Sequence, residues 1–308
     1  MTKRLNDKTT KVSITQSKRH LLIALILFHF SGHILAQKLV PKKRTIEPDH
    51  IVTSKIMGRD YQLYMSFPTS YSATDTISYP VLYVLDGQLS YHKFSSSHKS
   101  FGFENELEDV IIVGIGSGLD MASWFIHRSF DYTPSVDIRY QDKMEKQFGI
   151  PKGTIQSGGS AKYLKVLKTE IIPFVDKHYK TTEDRGISGH SLGGLFASYC
   201  LLYSDGFFTR FGINSPSLMW NNNELLTRFI AEIENKTRWG LPPTRIFISV
   251  GELEGSKMVP AMITLSMNLE DLNDENIDLD WQIFEKETHL SVDAASMNRT
   301  LSVLYGNE

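Results

Sequence analysis

A single cysteine stands among the 308 residues, so no disulfide can form within this chain. It is Cys200, in the apolar run Ala197-Ser198-Tyr199-Cys200-Leu201-Leu202. There a small buried hydrophobe is expected, not a reactive thiol. One cysteine also leaves the redox compartment unread. Neither sign of charge is in excess: 33 Lys+Arg against 35 Asp+Glu give a formal net charge of −2. That balance supplies no draw toward nucleic acid or an anionic membrane surface. H-E-x-x-H and P-loop signatures are missing. The run Gly114-x-Gly116-x-Gly118 lacks the G-x-G-x-x-G spacing, which argues against dinucleotide binding. No metal or organic cofactor is implied. Internal repeats, low-complexity tracts and linkers are absent too, so residues 37–308 read as one domain.

Residues 1–36 read differently. Lys3, Arg4, Lys8, Lys11, Lys18 and Arg19 precede the apolar stretch Leu21–Phe30, and Ser31-Gly32-His33-Ile34-Leu35 leads to the small residue Ala36 before a lysine-rich segment. This is the layout of an export signal: basic region, short apolar region, small residue at the cleavage point. His29 and Gly32 interrupt the apolar stretch, which is short for a membrane span. A periplasmic or secreted protein is expected, free of the membrane once the signal is cleaved. An uncleaved amino-terminal anchor is the rival reading.

The mature region alternates short apolar runs with helical patterns, the signature of an α/β fold with a mostly parallel central sheet and helices on both faces. Ile51 to Met57 and Tyr61 to Phe67 predict an antiparallel pair. Pro80 to Leu85 and Val110 to Gly116 are continuous apolar runs, as buried parallel strands require. Further strands are expected at Gly186-Ile187-Ser188, Phe211 to Asn214, Arg245 to Val250 and Leu279 to Phe284. Helices are expected at Ala161 to Tyr179, Leu192 to Tyr203, Glu224 to Glu234, Pro260 to Leu272 and Ala294 to Leu304. Residues 119–158 carry no clear period and read as an irregular excursion above the sheet.

Gly189-His190-Ser191-Leu192-Gly193 matches G-x-S-x-G. By composition alone such a match arises in roughly one chain in ten of this length, so context must decide. Here the motif follows a strand pattern and opens a small-residue helix, the strand–turn–helix setting in which a serine is held clear of the backbone as a nucleophile. A serine hydroxyl needs a base. In such folds the order along the chain is serine, acid, histidine, and of ten histidines only His289 follows Ser191. It lies just beyond the last expected strand, at the sheet edge where α/β proteins build sites. The acid should follow the Arg245–Val250 strand; Glu254 is the choice, with Glu252 or a Ser–His pair without carboxylate as alternatives. The oxyanion hole is expected from the N–H groups of Leu192, directly after the serine, and of Gln88, after the Pro80–Leu85 strand.

With these residues placed, the chain resembles the Putative esterase family of α/β hydrolases, which includes esterase D-like enzymes, mycolyltransferases and hydrolases of ferric trilactone siderophores. The resemblance rests on Tyr79 to Gly87, Arg128 with Asp131 and Pro134, Gly158-Gly159, Ile172-Pro173-Phe174, Gly189 to Gly194, Ser215-Pro216-Ser217 with Trp220, and His289. The siderophore-esterase branch is closest, through Arg128-x-x-Asp131 and the Ser217–Trp220 segment. It implies the α/β-hydrolase fold and a secreted serine hydrolase that cleaves a small-molecule ester through an acyl-enzyme. It also implies that Arg128 and Trp220 line an acyl or catecholate pocket, the cation pairing with an anionic ring and the indole stacking on it. An acyltransferase on the same fold and a non-catalytic ligand-binding homologue stay open as alternatives, as does the identity of the ester.

Overall fold

The computed structural model describes residues 47–307 apart from 75, 104–105, 119 and 236–241; the export segment expected at 1–36 lies outside the described residues. The strands are β1 (His50–Ser54), β2 (Arg59–Ser66), β3 (Tyr79–Leu85), β4 (Ile111–Ser117), β5 (Thr181–His190), β6 (Arg210–Asn214), β7 (Thr244–Gly251) and β8 (Ile277–Phe284). They form one sheet in the order β1-β2-β4-β3-β5-β6-β7-β8. The β1–β2 and β2–β4 pairs are antiparallel, and every pair from β4 through to β8 is parallel. This is the α/β-hydrolase fold.

The period of two along a strand divides the core between the two faces. Val81, Tyr83 and Leu85 of β3 pack into one cluster with Leu195, Phe196 and Phe229. Their neighbours Leu82 and Val84 point the other way, into a second cluster with Phe94, Met297, Leu301 and Leu304. Helices α1 (Gly87–Phe103) and α9 (Val292–Tyr305) supply that second face. The first face is covered by α4 (Ser160–Val166), α5 (Ile172–His178), α6 (Leu192–Tyr203), α7 (Trp220–Asn235) and α8 (Gly255–Asp271). Among the described residues no helix is long and apolar enough to cross a membrane.

Three local departures from expectation have physical causes. Residues 119–158 are not irregular: they contain α2 (Met121–Asp131) and α3 (Ile138–Phe148). Both helices are amphipathic and open on polar caps. Asp120 caps α2 by accepting from the N–H groups of Ala122 and Ser123, Asp137 caps α3, and Gly149 ends α3 in the left-handed conformation. Strand β5 is ten residues long, and its charged first half, Thr181 to Arg185, was hidden from an apolar-run reading. Those charges are paired at the sheet's amino-terminal edge, Arg185 with Asp176 and Arg210 with Asp184. The expected helix over Ala161 to Tyr179 is interrupted by a π turn at Leu167–Ile171, where the Ile172 N–H reaches back to Leu167 C=O. The Pro173 that follows has no N–H to give.

The close approach of α1 to β4 fixes where the loop after β3 must lie. A Cβ on Gly87 would fall 2.5 Å from the Gly114 carbonyl carbon and 2.6 Å from the Ile115 nitrogen. Backbone cannot yield as a side chain would, so Gly87→Ala is expected to cost about 1–3 kcal/mol, the usual range for overpacking. A urea midpoint indistinguishable from that of the unaltered protein would refute this packing.

Candidate active site

Every element that reaches the site ends at the carboxyl edge of the parallel strands. Strand β5 runs into a turn at Ser191, where α6 begins, and Ser191 adopts φ 63°, ψ −117°, a conformation that L residues avoid. Neighbouring backbone holds it: Ser191 N–H donates to Asn214 C=O at 3.0 Å, and Ser191 C=O accepts from Ser217 N–H at 3.1 Å. The glycines around it are not equally demanded. A Cβ on Gly189 would sit 2.5 Å from the Gly193 carbonyl carbon, and one on Gly194 2.5 Å from Asn214 C=O. One on Gly193 would meet nothing nearer than 3.5 Å, an ordinary contact. The backbone thus requires the first and last of the three.

The Ser191 hydroxyl lies 2.9 Å from His289 Nε2, and His289 Nδ1 lies 2.6 Å from Glu254 Oε2. Ninety-eight residues separate the first pair in sequence; the tertiary fold closes that gap. His289 follows β8, and Glu254 lies in a 3₁₀ turn (Glu252–Glu254) after β7. Two hydrogen bonds fasten these loops to each other: Leu253 N–H donates to Glu287 C=O at 2.9 Å, and Lys286 N–H donates to Glu252 Oε2 at 2.7 Å. Glu252 is therefore engaged on the outside, while the Glu254 carboxylate is fully withdrawn from solvent. Ser215, at φ 43°, turns its hydroxyl to donate to Glu254 Oε1 at 2.6 Å, and Gly251 N–H donates to the same oxygen at 2.7 Å. Burial alone would raise the Glu254 pKa. The bonds from His289, Ser215 and Gly251 outweigh it and hold the carboxyl below its ordinary value.

His190 stacks beside His289, with ring centroids 4.6 Å apart. Burial, reinforced by the neighbouring His289, lowers its pKa to about 4.

The residues expected to meet substrate are placed unequally. A cavity of about 230 Å³ opens at Ser191 and His289, and Arg128 lines it. The guanidinium is already occupied: Nε and Nη2 each donate to the Asp86 carboxylate at 3.0 Å, and Trp124 Nε1 donates to Asp86 Oδ1 at 2.6 Å. Arg128 also stacks over Trp124 and Tyr132. Asp86 sits at φ 53°, and its N–H donates to the Tyr132 hydroxyl at 3.1 Å. The turn that leads into α1 is thereby clamped by α2. Asp131, three residues on from Arg128, faces away and pairs with Arg59 and Tyr61, buried so deeply that its pKa is pushed up to about 6. Trp220 is not at the cavity. It is 6% exposed, packs edge-on against Tyr140 with centroids 4.7 Å apart, and belongs to the core.

Leu192 and Gln88 are the first residue of α6 and the second of α1. Their N–H groups precede the first bonds of those helices, Leu195 N–H to Ser191 C=O and Leu89 N–H to Asp86 C=O. Such leading N–H groups are where a helix start offers donors to developing negative charge. Sequence reasoning assigned no role to Asp86, Trp124, His190 or Ser215. An acidic residue at the carboxyl end of a parallel strand was the available signal for Asp86; the other three needed the fold.

Comparisons with known proteins place the chain in a family. A family model described as "Putative esterase" matches residues 54–259. The ferri-bacillibactin esterase BesA of Bacillus subtilis is 27% identical over 261 residues, covering 82% of this chain and 86% of that protein. The apo-salmochelin esterase of Escherichia coli is 29% identical over 174 residues, 56% of this chain and 52% of its own length. Among solved structures, the BES protein from Bacillus cereus superimposes with a TM-score of 0.72 at 29% identity, covering 86% of this chain and 99% of that one.

The depressed Glu254 pKa has a consequence for stability. A carboxyl whose pKa is lower folded than unfolded stabilises the fold above its unfolded pKa and loses that contribution as pH falls through the folded value. Glu254→Gln is thus expected to be less stable than the parent at pH 7, with the gap narrowing below the ordinary glutamate value of 4.5. Denaturant titrations at pH 7 and pH 4 check this, and a gap that widens on acidification contradicts it.

Proposed function

The chain belongs to the Putative esterase family and is a carboxylic ester hydrolase, and we propose that it acts through an acyl-enzyme formed on Ser191. The observation that supports this is the continuous chain of contacts from Ser191 Oγ through His289 to Glu254, at 2.9 and 2.6 Å, on the wall of a cavity. Ser191 Oγ attacks the ester carbonyl while His289 Nε2 takes the hydroxyl proton. The oxygen that becomes negative is received by the N–H groups of Leu192 and Gln88. His289 then gives its proton to the departing alkoxide, and an alcohol leaves. Water repeats the sequence against the acyl-enzyme, releasing the acid and restoring Ser191. Glu254 fixes the imidazole tautomer and steadies the imidazolium without taking its proton. Asp86 and Arg128 hold the loop that presents Gln88.

The finer assignment is a siderophore-type ester. Its support is the agreement among relatives named for ferri-bacillibactin, apo-salmochelin and enterobactin esters. On this reading the wall formed by Asp86, Trp124 and Arg128 faces the substrate, while Trp220 serves the core.

Ser191→Ala should lower kcat on p-nitrophenyl acetate by about a thousandfold or more and abolish labelling by a fluorophosphonate. Enterobactin should be opened by the parent protein and left intact by the variant. Undiminished hydrolysis in Ser191→Ala would remove the nucleophile from this mechanism, whereas intact enterobactin with the parent would remove only the siderophore assignment.

Export belongs to the same proposal. Its support is the basic-then-apolar layout of residues 1–36. Fractionated cells should hold the full chain outside the cytosol and a chain lacking residues 1–36 within it; equal distribution of the two would count against export.

A further inference from the structure

The cavity does not stop at the reacting atoms. From Ser191 it runs between α1 and α9 to a floor made by Val84, Phe94 and Met297, with Leu89 and Leu290 at its rim. The three floor residues are almost wholly withdrawn from solvent and belong to the second core cluster. The site therefore opens directly into the apolar layer between two helices.

Asp86, Arg128 and Asp293, which line the cavity, already have partners of opposite charge. Arg128 is bound to Asp86, and Lys93 of α1 pairs with Asp293 of α9 across the two helices. Ser90 turns its hydroxyl back to Leu85 C=O and Asp86 C=O, at 2.8 and 3.0 Å. An anionic group entering here would give up its hydration and find each of these cations committed, whereas an apolar group gains by leaving water. Size sets the other limit. An apolar cavity of about 150 Å³ admits benzene, and the whole space here is about 230 Å³, including the part beside Ser191.

We infer that the apolar arm between α1 and α9 is a specificity subsite for one uncharged aryl ring or short alkyl chain adjoining the scissile ester. The inference rests on Ser191 as nucleophile and adds what kind of group sits beside it. Met297 and Phe94 set the depth, and Leu89 sets the width of the entrance.

Two substrate series test it on the full chain. One is the p-nitrophenyl esters of acetate, butyrate and octanoate, with the hemiglutarate as a charged counterpart; the other is the acetates of methanol, propanol and phenol. In at least one series kcat/KM should rise roughly fifteenfold for two added methylenes, about fourfold for each buried CH₂. It should fall again at octanoate, and the hemiglutarate should lie at least tenfold below the butyrate. Met297→Trp, which fills the floor, and Leu89→Trp, which narrows the rim and leaves the core untouched, should each cut the preference for the longer group by about tenfold.

Labelling of every variant by a small fluorophosphonate separates the two claims. A parent protein that does not label overturns the nucleophile assignment itself. A parent that labels but shows flat profiles in both series overturns the subsite alone. So do tryptophan variants that label normally and keep the parent's preference.

Discussion

The site hangs on a backbone conformation that a serine does not adopt on its own. Holding Ser191 at φ 63° costs on the order of 1–3 kcal/mol. The surrounding structure offsets this through the two backbone bonds to β6 and the segment after it, and through the close passage of Gly189 and Gly194 against neighbouring chain. What is gained is position. The hydroxyl is held at the start of α6, where the leading N–H groups of a helix lie. Strand β6 takes part twice, because Asn214 receives the Ser191 N–H while Ser215, the next residue, steadies Glu254. The turn that strains the serine and the turn that orients the acid are thus neighbours on one strand end.

Beneath this edge lies a polar layer that apolar packing could not provide. The Asn214 side chain donates to Ser188 and Thr300 and accepts from Ser249, all buried, and the Ser249 oxygen in turn lies 3.1 Å from the Ser296 hydroxyl, from which it can accept. These bonds tie β5, β6 and β7 to α9, the helix that follows His289. Satisfied networks of this kind favour one arrangement over its near alternatives, since any slippage would leave a buried polar group unpaired. On the opposite side, the Asp86–Arg128 pair does the same for the turn into α1. The Arg128 guanidinium lines the cavity while it is bound to a carboxylate of its own chain.

Much of the sheet was legible, because buried strands such as Val81 to Leu85 and Ile111 to Ile115 are apolar on both faces. The failures share a cause. Helices α2 and α3 are short, and α3 is poor in apolar residues, while α1 is rich in serine, so a reading guided by apolar content passed over them although α2 and α3 are amphipathic and open on Asp caps. The charged half of β5 pairs with β3 and carries ion pairs from Arg185 to Asp176 and from Asp184 to Arg210, features to which a search for apolar runs is blind.

The sequence by itself determined the chemistry on offer. A serine between glycines after a strand, and one histidine downstream of it, leave few ways to build a hydrolytic site, because the turn is local and the order along the chain is a property of the fold. The tertiary structure alone decided the partnerships. It placed Glu254 rather than Glu252 against His289, drew Arg128 to Asp86, sent Trp220 into the core and opened an apolar arm between α1 and α9. Each of these depends on distances between segments far apart in the chain, and such distances are set by how layers pack, which no local pattern of residues encodes.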